Sequence, residues 1–131
     1  MNTREVTQAN FESTVNQGIV LLDWWAGWCG PCRTFAPVFE AAAGANPDIV
    51  FGKVNTEAEQ DLAQAYQVQA IPMLMAFRDG ILLYASPGAL AAPQLADLIA
   101  KVRALDMEEV RKEIAETEAN ERGNGAADVE A

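Results

Sequence analysis

Two cysteines, Cys29 and Cys32, stand three positions apart in a chain of 131 residues that contains no histidine. Without histidine, neither a Ser–His nor a Cys–His nucleophile pair can form. Attachment of a c-type haem fails because Arg33 follows Cys32, where a histidine is required. Two thiols are also only half of a closed tetrahedral zinc site. What survives is a dithiol redox pair. Thiol–disulfide exchange needs a thiolate to attack and a second thiol to resolve the mixed disulfide. A Cys-x-x-Cys pair at the start of a helix meets both needs. Free backbone N–H groups and the positive end of the helix dipole favour the thiolate at Cys29, and side chains three apart share a helix face, so Cys32 can reach it. Between them, Gly30 permits a tight turn, and Pro31 presets φ where a helix's first N–H groups have no partner. Two buried structural thiols would show the same spacing, so the pair alone leaves that reading open.

The elements around the pair decide whether it is positioned for this work. Residues 19–24, Ile-Val-Leu-Leu-Asp-Trp, form an apolar run typical of a strand buried on both faces, in which Asp23 is out of place. A short strand at 4–6 precedes a first helix opening at Thr7 and ending near Gln17. A helix is expected from Arg33 to Ala45, kinked at Pro37, with the cysteines at its N-terminus. Residues 49–55 read as a further strand. Thr56-Glu57-Ala58-Glu59 has the spacing of a capping box for a helix running to Tyr66. Residues 71–77 and 81–85 flank Asp79-Gly80 as an antiparallel hairpin. Pro93 opens a last helix with an apolar stripe of Leu95, Leu98, Ile99, Val102 and Leu105. The fold class is therefore α/β, a mixed sheet with helices on both faces.

Residues 25–32, Trp-Ala-Gly-Trp-Cys-Gly-Pro-Cys, resemble the active-site segment of the thioredoxin family. The resemblance extends in order to Asp23, Lys53, Ile71-Pro72 and Gly88-Ala89-Leu90, and covers residues 4–105. It implies the thioredoxin fold, with Cys29 as the attacking, solvent-reachable thiol and Cys32 as the buried resolving one. It further implies that Asp23 lies beneath the pair as a proton acceptor for Cys32, with Lys53 beside it. Burial of an acid in an apolar strand agrees, since it raises the pKa. Pro72 would be a cis-proline facing the cysteines, and Trp28, Gly30, Pro31, Ile71, Pro72 and Gly88 would form a groove for protein substrates. Trp24 and Trp25 are read as core packing. Disulfide-containing proteins would be the substrates and an NADPH-dependent thioredoxin reductase the electron source, with no cofactor bound to this chain. Met73, Trp24 and Pro87 depart from the commonest family pattern and bear on partner range rather than on electron transfer.

Composition narrows the remaining classes. The formal net charge is −10. Residues 1–105 contribute −4 and residues 106–131 contribute −6, so the acidity is concentrated at the C-terminal end. Such a chain has no basic cluster to engage a phosphate backbone or an anionic membrane. No apolar stretch resembles a secretory signal or a membrane span, and a cytoplasmic monomer is expected. Residues 1–105 are read as the thioredoxin domain and 106–131 as an acidic extension, either a continuation of the last helix or a restart at Asp106, disordered from Gly123 onward. A second class of function stays open: a binding or chaperone subunit with a dedicated partner, distinguished by whether activity survives Cys29→Ser with Cys32→Ser.

Overall fold

Strands and helices alternate along most of the chain in the computed structural model, which describes residues 2–130, with side chains as far as residue 122. The order is β1 (Arg4–Glu5), α1 (Phe11–Val15), β2 (Ile19–Trp25), α2 (Gly30–Ala45), β3 (Val50–Asn55), α3 (Gln60–Ala65), β4 (Met73–Arg78), β5 (Ile81–Pro87), α4 (Ala92–Ala104) and α5 (Met107–Glu130). The five strands form one sheet in the order β1-β3-β2-β4-β5. β2 lies at its centre, parallel to β3 and antiparallel to β4. A strand with neighbours on both edges and helices on both faces has no solvated side, which is why its residues are apolar almost throughout.

Alternation along β2 sorts its side chains into two cores. Val20, Leu22 and Trp24 pack with Phe11, Leu62 and Phe77 on the side of α1 and α3. Leu21 packs with Phe35, Phe39, Leu95 and Ile99 on the side of α2 and α4. Asp23, two residues after Leu21, therefore faces α2. In β3, Phe51 belongs to the same core, so Lys53 faces that side as well. Leu95, Ile99 and Val102 are buried, and burying each such side chain stabilises by about 1.5–3 kcal/mol. The expected stripe on α4 thus forms, except that Leu105 ends exposed just beyond the helix.

Several local expectations are revised by the hydrogen bonds that form. α1 starts at Phe11 rather than near Thr7, because Asn10 Oδ1 accepts the Thr7 N–H at 2.8 Å while Asn10 Nδ2 donates to the Glu5 carbonyl at 3.1 Å. These bonds hold residues 7–10 as a turn. The capping box at Thr56 does not form. The Thr56 hydroxyl donates to the Trp25 carbonyl at 3.0 Å, and Glu59 accepts the Gln8 N–H at 2.7 Å, so α3 begins only at Gln60. α2 begins at Gly30 instead of Arg33 and continues through Pro37. The carbonyl that Pro37 leaves unpaired belongs to exposed Arg33, where water can serve it.

The hairpin between β4 and β5 turns through Asp79 (φ 55°) and Gly80 (φ 81°), the doubly left-handed geometry of a two-residue turn. At the other end of the chain, the open question is answered in favour of a restart. Asp106 Oδ1 accepts the N–H groups of Glu108 and Glu109 at 3.0 and 3.3 Å, capping α5 as a separate helix. Arg78 Nη1 closes the preceding helix by donating to the carbonyls of Val102 and Leu105 at 2.9 and 3.1 Å. The disorder expected over residues 123–131 falls outside the residues whose side chains are described.

Candidate active site

Cys29 and Cys32 are joined by a disulfide, their Cα atoms 5.3 Å apart. The sequence folds this way locally because β2 ends at Trp25 and the chain turns through Gly27 and Trp28, with the Cys29 N–H donating to the Ala26 carbonyl at 3.2 Å. Cys29 has extended backbone angles and is the N-cap of α2, while Pro31 occupies the first turn. The Cys32 N–H donates to Cys29 Sγ at 3.2 Å. One of the four N–H groups that a helix N-terminus leaves unpaired is thus aimed at the sulfur where negative charge would develop. Arg33 contributes a bond that sequence reasoning did not anticipate. Its Nη2 donates to the Gly27 carbonyl at 2.6 Å, tying the loop before Cys29 to the helix after Cys32.

The resemblance implied one open and one buried thiol. In the disulfide form both residues are enclosed, at 3% and 4% exposure, packed with Ala26, Trp25 and Ile71. What separates them is position: Cys29 precedes the helix and Cys32 lies within it. Ile71 reaches the pair from 42 residues along the chain, its carbonyl oxygen 3.8 Å from Cys29 Sγ. The Ile71–Pro72 peptide bond is cis, and the Pro72 carbonyl accepts the Gly88 N–H at 2.8 Å. Gly88 has φ 109°, a conformation open mainly to glycine. Trp28 lies 68% exposed beside the cysteines in sequence, a large apolar surface of the kind that marks an interaction site.

Asp23 is 0% exposed, and among the described residues neither of its carboxylate oxygens has a hydrogen-bond partner. Burial pushes its pKa up from 3.8 to about 6, with Lys53 opposing the rise. The two residues face each other in the β2–β3 register, and Lys53 Nζ is 3.9 Å from Asp23 Oδ2. Sequence reasoning assigned Trp25 to packing alone. Its ring lies under Lys53, with Nζ 5.3 Å from the centroid, which holds the ammonium over the β2 end by a cation–π contact. Nothing local in the sequence signals this, since 28 positions separate the two residues. A cavity of about 160 Å³ is lined by Trp25, Cys32, Ala36 and Lys53 among others, large enough for a few water molecules. It connects the Cys32 side of the disulfide with the lysine that pairs with Asp23.

The arrangement can therefore stabilise a thiolate at Cys29, return to a disulfide through Cys32, and hold a proton near neutrality on Asp23. Among the described residues there is no group of three or more side chains able to hold a metal ion, and no helix is long and apolar enough to cross a membrane.

Comparison with known proteins agrees with this geometry. Residues 2–101 match the family model described as Thioredoxin. A Streptomyces coelicolor protein provisionally named thioredoxin 2 is 53% identical over 119 residues, spanning 90% of this chain and 89% of that one. Thioredoxin of Pseudomonas aeruginosa is 44% identical over 94 residues, spanning 70% and 87% of the two chains. Among solved structures, a mutant thioredoxin from Halobacterium salinarum superposes with a TM-score of 0.74 at 31% identity, covering 80% of this chain and 95% of that one. Thioredoxin of Plasmodium falciparum gives 0.70 at 30% identity, covering 76% and 98%. With its active-site octapeptide, its cysteine pair at a helix N-terminus and its mixed five-stranded sheet, the chain belongs to the thioredoxin family and is a thiol–disulfide oxidoreductase.

Proposed function

We propose that the chain is a general protein-disulfide reductase of the cytoplasm, recharged by an NADPH-dependent thioredoxin reductase. Residues 1–105 are the redox domain and residues 106–131 an acidic extension. In the working cycle the Cys29 thiolate attacks one sulfur of a substrate disulfide, forming a mixed disulfide and releasing the other substrate sulfur as a thiolate. The Cys32 thiol then passes its proton to the Asp23 carboxylate and attacks Cys29 Sγ. The second substrate sulfur leaves, and the Cys29–Cys32 disulfide remains. Two electrons and two protons have moved to the substrate once its thiolates are protonated. The reductase returns the dithiol, so NADPH is consumed without binding here.

Asp23 suits this step because a carboxyl with a pKa of about 6 is ionised at neutral pH yet is a stronger base than an ordinary aspartate. Lys53 limits the penalty of that buried charge. Trp28, Gly30, Pro31, Ile71, Pro72 and Gly88 form the docking groove, where an extended substrate segment is held largely by backbone contacts and tolerated whatever its side chains. The observation that carries the reading is the Cys29–Cys32 disulfide at the N-terminus of α2, on the sheet face to which Asp23 points.

The experiment is reduction of insulin followed by turbidity, with NADPH and a matched reductase supplied. Turnover that disappears in Cys29→Ser is the expected outcome. A chain that the reductase reduces but that fails to reduce insulin would assign the fold to a dedicated partner instead.

A further inference from the structure

At the far end of β5 from the cysteines, a groove of about 460 Å³ opens between β5 and α5. Leu82, Leu105 and Ile114 line it and are exposed, although each is a large apolar side chain. Glu113 and Glu118 also line it, and among the described residues neither carboxylate has an ion-pair partner. Among the described residues no cation lines the groove. Arg111 is engaged with Asp79 at 3.6 Å, and Lys112, although on the same helix, is not part of the wall.

Both walls are fixed to the domain. β5 is an edge strand held by β4. α5 is anchored by buried Met107, by the Asp106 cap and by the Arg111–Asp79 pair. The strand, the α4–α5 junction and the acidic helix thus each turn an exposed leucine or isoleucine toward one cleft beside an unpaired strand edge, through Leu82, Leu105 and Ile114. An exposed apolar floor with a charged rim is the anatomy of a protein-docking site.

We propose that this groove docks a segment of a partner protein that carries apolar anchor residues flanked by lysine or arginine. The charge argues for that occupant over two others. A second copy of this chain would bring a second −6 extension against the first, and like charges facing each other oppose association. An anionic lipid surface is repelled for the same reason. From Leu82 to Pro87 the strand advances about 17 Å, so a partner seated here leaves the Trp28 and Gly88 end of the molecule free. The site is thus separate from the redox groove, and the proposal does not rest on the redox role of the cysteines.

The test uses the full chain and a synthetic peptide of alternating leucine and lysine, with leucine–glutamate and serine–lysine peptides of equal length as controls. Binding is read by fluorescence anisotropy and located by amide chemical-shift changes. The expected result is binding of the leucine–lysine peptide alone, with shifts clustered on β5 and α5 and an affinity that falls with added salt. Glu113→Lys with Glu118→Lys should weaken it by about tenfold or more, as should Ile114→Asp, while insulin reduction and the far-ultraviolet dichroism stay unchanged. Shifts confined to the surroundings of Trp28, equal binding of the leucine–glutamate peptide, or indifference to both sets of substitutions would overturn the proposal. So would concentration-dependent dimerisation abolished by Ile114→Asp, which would give the groove to a second copy.

Discussion

Replacing Asp23 by asparagine should stabilise the oxidised protein at alkaline pH far more than at acid pH. In the folded state Asp23 is sealed from water, its oxygens lack hydrogen-bond partners, and its carboxyl is raised from 3.8 to about 6. The folded protein therefore holds this proton more tightly than the unfolded chain does. Stability falls as pH rises from 3.8, and the loss is complete once pH passes the folded-state value of about 6. At about 1.4 kcal/mol per pH unit, the penalty at neutrality is about 3 kcal/mol. Asparagine carries no such penalty at any pH. Whatever the amide itself costs or contributes in that site is the same at acid and alkaline pH, and drops out when the two are compared.

The assay is urea unfolding of both disulfide-bonded proteins at about pH 4 and about pH 8, with the difference in stability between variant and wild type taken at each pH. The variant should gain about 3 kcal/mol at pH 8 relative to pH 4, which corresponds to a shift in melting temperature of roughly 10 °C for a chain of this size. A gain below about 1 kcal/mol, or a change of opposite sign, would mean that Lys53 compensates the buried charge fully. The account of Asp23 as a strained base would then fail. The same substitution should slow release of the mixed disulfide, because Cys32 loses its proton acceptor.

Three further outcomes follow from named contacts. Lys53→Met removes the one charge among the described residues that opposes the rise of Asp23, so the midpoint of its carboxyl titration, followed by carbon NMR, should move to higher pH and return with Lys53→Arg; an unmoved midpoint would show that the 3.9 Å pair is not coupled. Gly52→Ala would place a Cβ 2.6 Å from Val6 Cγ2 and 2.8 Å from Leu22 Cδ2, both in fully buried residues, and should destabilise by about 1–3 kcal/mol in urea unfolding. Asp106→Ala deletes the acceptor for two N–H groups of α5 and should weaken that helix by about 1 kcal/mol, seen as faster hydrogen exchange at Glu108 and Glu109 with insulin reduction unaffected.

The sequence by itself determined what depends on near neighbours. The Cys29–Cys32 spacing, with Gly30 and Pro31 between, places the pair at a helix N-terminus, although the helix begins at Gly30, three residues before the expected Arg33. The apolar run at 19–24 encodes a doubly covered strand, and Asp79-Gly80 encodes the hairpin, because each rests on backbone geometry within a few residues. An aspartate in such a strand announces its own raised pKa. The tertiary structure alone decided matters of partnership across the chain. It placed Ile71 against Cys29, set Lys53 over the ring of Trp25, gave Thr56 to the Trp25 carbonyl instead of its own helix, and brought the Arg78 side chain to the carbonyls that end α4, after which α5 restarts. Each of these is a choice among competing hydrogen-bond or packing partners, and that choice is made by which side chains the sheet brings together, which no local pattern records.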